Sequence, residues 1–79
     1  MGVSETLKQL IADRTGIESD KILPSAHFEE DLNLSKIELA DFLNFLEDHF
    51  KISLSRDDII NVKTVEDLEN LVEDQLNEI

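Results

Sequence analysis

The sequence predicts an all-α fold, a small four-helix bundle with three main helices, one short helix and a long loop between helices 1 and 2. Apolar residues recur at helical spacing in three separate segments. Two of these segments begin with the Ser/Thr-x-x-Glu/Asp pattern that is typical of helix N-termini. Strand-like alternation is confined to residues 51–55, and no second strand is available to pair with it.

The first helix is expected over residues 4–15. Ser4 is a suitable N-cap residue, and Glu5 in the first turn interacts favourably with the helix dipole. The apolar stripe of this helix consists of Leu7, Leu10 and Ile11. Gly16 can adopt the left-handed conformation that ends a helix.

The second feature is a long connection over residues 16–34, which contains Pro24. A loop of this length in a small domain is usually functional or contains a short helix of its own. Its apolar side chains predict that it lies over the core, and they are Ile22, Leu23, Phe28, Leu32 and Leu34.

The second helix is predicted from Ser35 to about Phe50. Ser35 and Glu38 fit the capping box, in which the hydroxyl accepts from one backbone N–H and the carboxylate accepts from the other. The apolar residues on its inner side are Leu39, Phe42, Leu43, Leu46 and Phe50. The acidic residues on its outer side are Glu38, Asp41, Glu47 and Asp48.

The last third of the chain contains an extended linker and two helices. Ser55 with Asp58 begins the short helix, which contains Ile59 and Ile60, and Thr64 with Asp67 begins the last helix, at about residues 65–77. The apolar residues of the last helix are Val65, Leu68, Leu71, Val72 and Leu76. A chain of 79 residues with this pattern is expected to form one domain, residues 1–79.

The composition restricts the classes of partner. The formal net charge is -12, from 19 acidic and 7 basic residues, so the surface repels nucleic acid and anionic lipid and attracts proteins with basic patches. The absence of cysteine excludes a disulfide, a thiol nucleophile and a zinc-thiolate site. No apolar run approaches the roughly 18 residues of a membrane span. We expect a monomeric cytoplasmic protein that binds neither nucleic acid nor membrane.

A calcium site is suggested only by the short pattern Asp31-x-Asn33-x-Ser35. The pattern then fails, because Lys36 stands where a glycine makes the turn and Phe42 where a bidentate glutamate closes the site. We therefore expect no metal site.

An enzyme is also not expected. A nucleophile needs an adjacent base, and Ser35 and His49 lie at opposite ends of one helix, roughly 20 Å apart. The acidic residues are spread over outer faces, where no cleft raises the pKa of a carboxyl for acid–base work. The sequence predicts no catalytic residue.

The chain resembles the acyl carrier proteins. The likeness begins with Phe-Glu-Glu-Asp-Leu at residues 28–32 and continues through residues 37–50. Residues 52–58 and 62–68 resemble the third and fourth helices of that family, and the alignment runs without a gap from about residue 7 to residue 71. The resemblance implies a four-helix bundle, a role in lipid metabolism such as fatty acid biosynthesis, and a 4′-phosphopantetheine arm that a phosphopantetheinyl transferase attaches.

The attachment motif departs from the family. The family has Asp-Ser-Leu at the start of helix 2, and the serine hydroxyl carries the arm, whereas Ser35, Lys36 and Ile37 align with these three positions. Lysine has no hydroxyl to receive a phosphodiester. Two interpretations follow. Either Ser35 carries the arm, displaced by one residue, or Ser35 is only the N-cap and the domain is an unmodified interaction or regulatory module with a carrier fold.

The resemblance also implies that the second helix docks on basic patches of acyl-processing enzymes. The residues expected to take part are Lys36, Ile37, Glu38, Ala40, Asp41, Asn44, Glu47 and Asp48. Ala40 and Asn44 replace larger apolar residues of the family, and Ile37 remains as the apolar anchor. Phe42 and Phe45 are expected to add bulk to the interior and to leave less room for an acyl chain between the helices.

Overall fold

The computed structural model describes residues 2–77, and this part of the chain contains four α-helices. They are α1 (Val3–Thr15), α2 (Lys36–Phe50), α3 (Arg56–Asn61) and α4 (Val65–Asn77). The only β pairing within residues 2–77 is an isolated bridge between His27 and Thr64. The predicted all-α class, with three main helices and one short helix, is confirmed.

The start of α1 differs from the prediction. The N-cap is Gly2, and Ser4 lies inside the first turn of the helix. The Ser4 hydroxyl instead donates to the carboxylate of Glu69 on α4, which is only 8% exposed. The prediction of Ser4 as N-cap is wrong, because its hydroxyl is used in a contact between the first and last helices. The end of α1 is as predicted, with Gly16 in the left-handed conformation (φ 79°).

The long loop contains a turn of 3-10 helix, Ser19–Lys21, and lies over the core as predicted. Four of its five apolar residues are buried, the exception being Leu23, which is 58% exposed. Ile22 is in an extended conformation with its side chain in the core. Successive side chains of an extended segment point to opposite sides, so Leu23 faces away. The prediction for Leu23 is therefore wrong.

Backbone hydrogen bonds fix this loop to the start of α4. The N–H of Phe28 donates to the carbonyl of Lys63 over 3.0 Å, and the N–H of Val65 donates to the carbonyl of Ala26 over 3.0 Å. The α4 N-terminus itself is capped as predicted, since Thr64 and Asp67 exchange hydrogen bonds between side chain and backbone. The loop is thus held in place on one side of the helix bundle.

The core receives side chains from α1, the loop, α2 and α4. The largest fully buried side chains are Phe28, Phe42, Leu7, Ile11, Ile22, Leu43, Leu46, Leu68, Val65 and Val72. No residue of α3 is buried. The short helix therefore lies on the outside of the core, which matters for the cavity described below.

Phe45 is not part of the interior, contrary to the prediction. It is 41% exposed, and its ring stacks on that of Phe42, with the Arg14 guanidinium 5.7 Å from its centroid. Phe45 follows Phe42 by three positions and precedes the buried Leu46, so it lies at the border of the inner side of α2. Phe42 is the one fully buried ring of this helix, and Phe50 packs half-buried against the edge of the core.

Candidate functional site

The N-terminus of α2 is an exposed capping box. The Ser35 hydroxyl accepts from the N–H of Glu38 over 3.2 Å, and the Glu38 carboxylate accepts from the N–H of Ser35 over 3.1 Å. The Ser35 N–H, and next its hydroxyl, hold the pKa of the Glu38 carboxyl below its ordinary value. The predicted capping box is confirmed. Ser35 is the N-cap, and Lys36 is the first residue of the helix.

A cavity of about 410 Å³ opens beside this helix start and is partly lined by Lys36. It lies between the loop at residues 27–30, the first turns of α2, the short helix α3 and residues 62–63. The apolar part of the lining consists of Phe28, Leu39, Ala40, Ile59, Ile60 and Val62. The resemblance implied room for an acyl chain between the helices, but the sequence did not locate this cavity, because its walls come from four segments that no local pattern connects.

Ile60 lines the cavity, although the sequence analysis gave it no role at the site. Its side chain is 64% exposed and lines the cavity from α3. The available signal was the pair Ile59-Ile60 in a helix of six residues, since two adjacent helical positions cannot both face the core.

The outer face of α2 presents most of the residues expected to bind partners. Ile37 is 76% exposed, and the exposed polar residues around it and along the helix are Lys36, Glu38, Asp41, Asn44 and Asp48. Ala40 is half-buried at the cavity wall. The face therefore combines one apolar side chain with several carboxylates.

Glu47 has a structural role within the chain. It is half-buried, and its carboxylate accepts from the N–H of Leu54 over 2.8 Å. This hydrogen bond fixes the linker between α2 and α3. Its role in partner binding stays a prediction, and the geometry gives it a structural role that the sequence did not suggest.

The described part of the chain gives no sign of a metal centre or a membrane span. Residues 2–77 contain no group of three His, Asp or Glu side chains placed to hold a metal ion. None of the helices in that range is long and apolar enough to cross a membrane. Asp31, the first residue of the calcium-like pattern, accepts from the N–H of His27 instead.

A family model described as "Phosphopantetheine attachment site" matches residues 5–72. The chain belongs to this family. It is therefore a carrier-type domain of the acyl carrier kind and not an enzyme, and 4′-phosphopantetheine is the prosthetic group of its family. The resemblance to acyl carrier proteins predicted from the sequence is confirmed.

Two solved structures show the same fold. The acyl carrier protein of Thermotoga maritima is 23% identical, with a TM-score of 0.79 over 92% of this chain and 85% of that one. The acyl carrier protein of Enterococcus faecalis is 24% identical, with a TM-score of 0.81 over 95% of this chain and 99% of that one. The four helices thus form an acyl-carrier-type bundle.

The residues at the start of α2 fit the prosthetic group in chemistry. Phosphopantetheine is attached through a hydroxyl oxygen, and Ser35 offers an exposed hydroxyl whose oxygen accepts from the Glu38 N–H. Lys36, the first helical residue, offers an amine and no hydroxyl. Ser35 is therefore the side chain at this helix start that could hold the group.

Proposed function

We propose that this domain docks on acyl-processing enzymes through the acidic outer face of α2 and carries acyl groups on 4′-phosphopantetheine attached to Ser35. The observation that carries the proposal is the exposed Ser35 hydroxyl at the N-cap, directly before a residue that lines an apolar cavity. The group, once attached, supplies a thiol that holds an acyl chain as a thioester.

Some charges around Ser35 stabilise a negatively charged phosphodiester at this position, and one destabilises it. The N-terminus of α2 and the Lys36 ammonium favour a negative group at the N-cap. The Glu38 carboxylate, which accepts from the Ser35 N–H, opposes it. We expect modification to displace Glu38 and to open that half of the capping box.

The cavity offers room for the apolar end of a cargo. Burial of each methylene in such a site contributes about 0.8 kcal/mol. Because Phe45 lies outside the core, the only fully buried α2 ring is that of Phe42. This supports a carrier that shields part of an acyl chain from water.

The outer face of α2 suits a partner with a basic patch around an apolar pocket. Ile37 provides the anchor, and Asp41 and Asp48 provide charges that steer a basic surface toward it. Since these groups are exposed, their contribution should fall as salt increases.

The attachment is tested by incubating the protein with coenzyme A and a broad-range phosphopantetheinyl transferase. We expect the intact mass to increase by one phosphopantetheine and Ser35→Ala to abolish the increase. Ser55→Ala is the matched control, because Ser55 occupies the same capping-box position at α3. An unchanged mass of the unsubstituted protein contradicts attachment at Ser35.

Docking is tested with Asp41→Lys and Asp48→Lys, measured as binding to the transferase at low and high salt. Both substitutions should weaken binding, and the difference should shrink at high salt. Asp74→Lys, an equal charge change on α4, is the control. Binding that responds equally to all three substitutions contradicts a docking face on α2.

A second function is favoured by the position of Lys36. In the gapless alignment it occupies the attachment position, and Ser35 fills the N-cap, so the domain would act as an unmodified interaction or regulatory module. In that case the natural protein stays unlabelled and Lys36→Ser becomes a substrate of the transferase. Labelling of the natural protein at Ser35 excludes this second function.

A further inference from the structure

The capping box of α2 holds a carboxylate beside the serine hydroxyl. The Glu38 carboxylate accepts from the Ser35 N–H over 3.1 Å, and the Glu38 N–H donates to the Ser35 Oγ over 3.2 Å. The Ser35 N–H and, after it, the Ser35 hydroxyl lower the pKa of Glu38, which places the hydroxyl within reach of that carboxylate. A nucleophile and a candidate base are therefore held together in one turn of helix.

Both halves of the capping box favour a reactive oxygen at Ser35. A serine hydroxyl is a weak nucleophile until an adjacent base takes its proton, and the Glu38 carboxylate is positioned to do so. The Glu38 N–H donates to the same oxygen and stabilises the negative charge that develops there. The positive end of α2 acts in the same sense. The pair thus assists the part of the reaction that a serine alone performs poorly.

The Glu38 carboxylate is free to accept a proton. Its side chain is exposed, and within residues 2–77 the single ion pair joins His27 to Asp31, so no cationic side chain in that range neutralises it. Its lowered pKa keeps it ionised at neutral pH, which is the form that acts as a base. The same lowered pKa makes it a modest base, so its contribution to the rate should be about 100-fold, the low end for general bases.

We propose that Glu38 is the general base for the attachment of phosphopantetheine to Ser35, so that the carrier supplies a catalytic residue for its own modification. This role rests on the proposed function. The Ser35 Oγ attacks the β-phosphorus of coenzyme A and forms the new O–P bond while its proton passes to a Glu38 Oε. The P–O bond on the adenosine side breaks, and adenosine 3′,5′-bisphosphate leaves with its electron pair. Glu38 then releases the proton to water.

The short helix α3 shows which substitution preserves this pair. Ser55 and Asp58 form the same capping box there, and the Asp58 carboxylate accepts from the Ser55 N–H over 3.1 Å. An aspartate at this position of the box therefore reaches the serine as a glutamate does. We expect Glu38→Asp to rebuild the pair with Ser35 and to keep a carboxylate beside its hydroxyl.

The test is the steady-state rate at which the transferase labels the full chain with coenzyme A. In Glu38→Gln the side-chain carbonyl oxygen still accepts from the Ser35 N–H, but the amide does not take up a proton. Its kcat should fall about 100-fold, whereas Glu38→Asp should retain most of the kcat. Asp58→Asn, which changes the equivalent carboxylate at α3, is the matched control and should leave kcat unchanged.

Two further measurements separate a base from a docking charge or a structural residue. Asp41→Asn removes an exposed charge of the docking face and should raise KM without lowering kcat. Glu38→Ala leaves space beside Ser35, so added acetate should restore part of its kcat, whereas sodium chloride at the same ionic strength should not. Glu38→Gln fills that space and should not respond to acetate. Thermal melting checks that every variant is folded.

The role of Glu38 is overturned if Glu38→Gln is labelled with the kcat of the natural protein. It is also overturned if Glu38→Asp loses as much kcat as Glu38→Gln, or if acetate restores no more of the Glu38→Ala rate than chloride does. These results leave attachment at Ser35 intact, because the natural protein is labelled in each of them. A natural protein that stays unlabelled overturns the attachment itself and this role with it.

Discussion

The side chains on the inner face of α2 contact the rest of the chain, whereas those on the outer face are exposed to solvent. The inner residues Leu39, Phe42, Leu43 and Leu46 are buried against the rest of the chain. On the outer face, Ile37 and Asp41 are exposed to solvent. The inner face therefore determines folding, and the outer face keeps its apolar and electrostatic contacts available for another molecule.

Two acidic residues near the ends of α2 make hydrogen bonds within the chain and so belong to neither face alone. Glu38 closes the capping box and Glu47 holds the N–H of Leu54, although both were expected to belong to the docking face. Substitution of either changes the local structure as well as the surface charge. Asp41 and Asp48 are therefore better probes of docking than Glu38 or Glu47.

The largest expected effect comes from the inner face. Leu46→Ala removes a fully buried side chain and should lower the free energy of unfolding by about 2–5 kcal/mol. Asn44→Ala, on the outer face two residues earlier, should change it by less than about 0.5 kcal/mol. Urea denaturation measures both, and similar values for the two variants would contradict the distinction between the faces.

A smaller effect is expected at the N-cap. Ser35→Ala removes the hydroxyl that accepts from the Glu38 N–H and should cost about 1 kcal/mol. Ser55→Ala breaks the same hydrogen bond at α3 and should cost less, because α3 contributes no buried residue and can fray without opening the core. Urea denaturation that finds Ser55→Ala the more costly substitution would contradict this order.

The capping box also predicts a pH dependence. Its hydrogen bonds hold the pKa of Glu38 below the ordinary value of 4.5. A lowered pKa in the folded state stabilises the protein above pH 4.5, and this contribution is lost as the pH falls through the folded-state pKa. The stability of Glu38→Gln should therefore fall less steeply than that of the natural protein below pH 4.5. Parallel curves from denaturation at several pH values would show that Glu38 makes no such contribution.

The smallest effect on stability is expected from the outer face. Asp41→Asn should change the free energy of unfolding by less than about 0.5 kcal/mol, because the side chain is exposed. The same substitution should slow association with a basic partner, since rim charges act mainly on the association rate. Surface plasmon resonance together with denaturation separates the two quantities, and a loss of stability without a change in association would contradict the assignment.

Features that depend on neighbouring residues could be predicted from the sequence. The capping boxes at Ser35, Ser55 and Thr64 and the left-handed Gly16 each require residues within four positions of one another. The buried stripe of α2 follows from helical spacing alone.

Features that depend on distant residues were missed. The hydrogen bond between Ser4 and Glu69 joins positions 65 residues apart, and no local pattern distinguishes it from an N-cap. The cavity joins four separate segments, so neither its position nor the place of Ile60 in its wall was predicted. For the site, the sequence identified Ser35 and Lys36 and their places at the helix start. The sequence does not decide whether Ser35 carries the arm or whether Lys36 at the attachment position leaves the domain unmodified. This depends on recognition by a partner enzyme and not on the fold.

The most direct measurement of the central claim is the mass of the protein after co-expression with a broad-range phosphopantetheinyl transferase, followed by fragmentation to locate the modification. Our account predicts one added phosphopantetheine, on the fragment that contains Ser35 and absent from the fragment that contains Ser55. An unmodified protein, under conditions in which Lys36→Ser is modified, would contradict attachment at Ser35 and leave α2 as a docking helix alone.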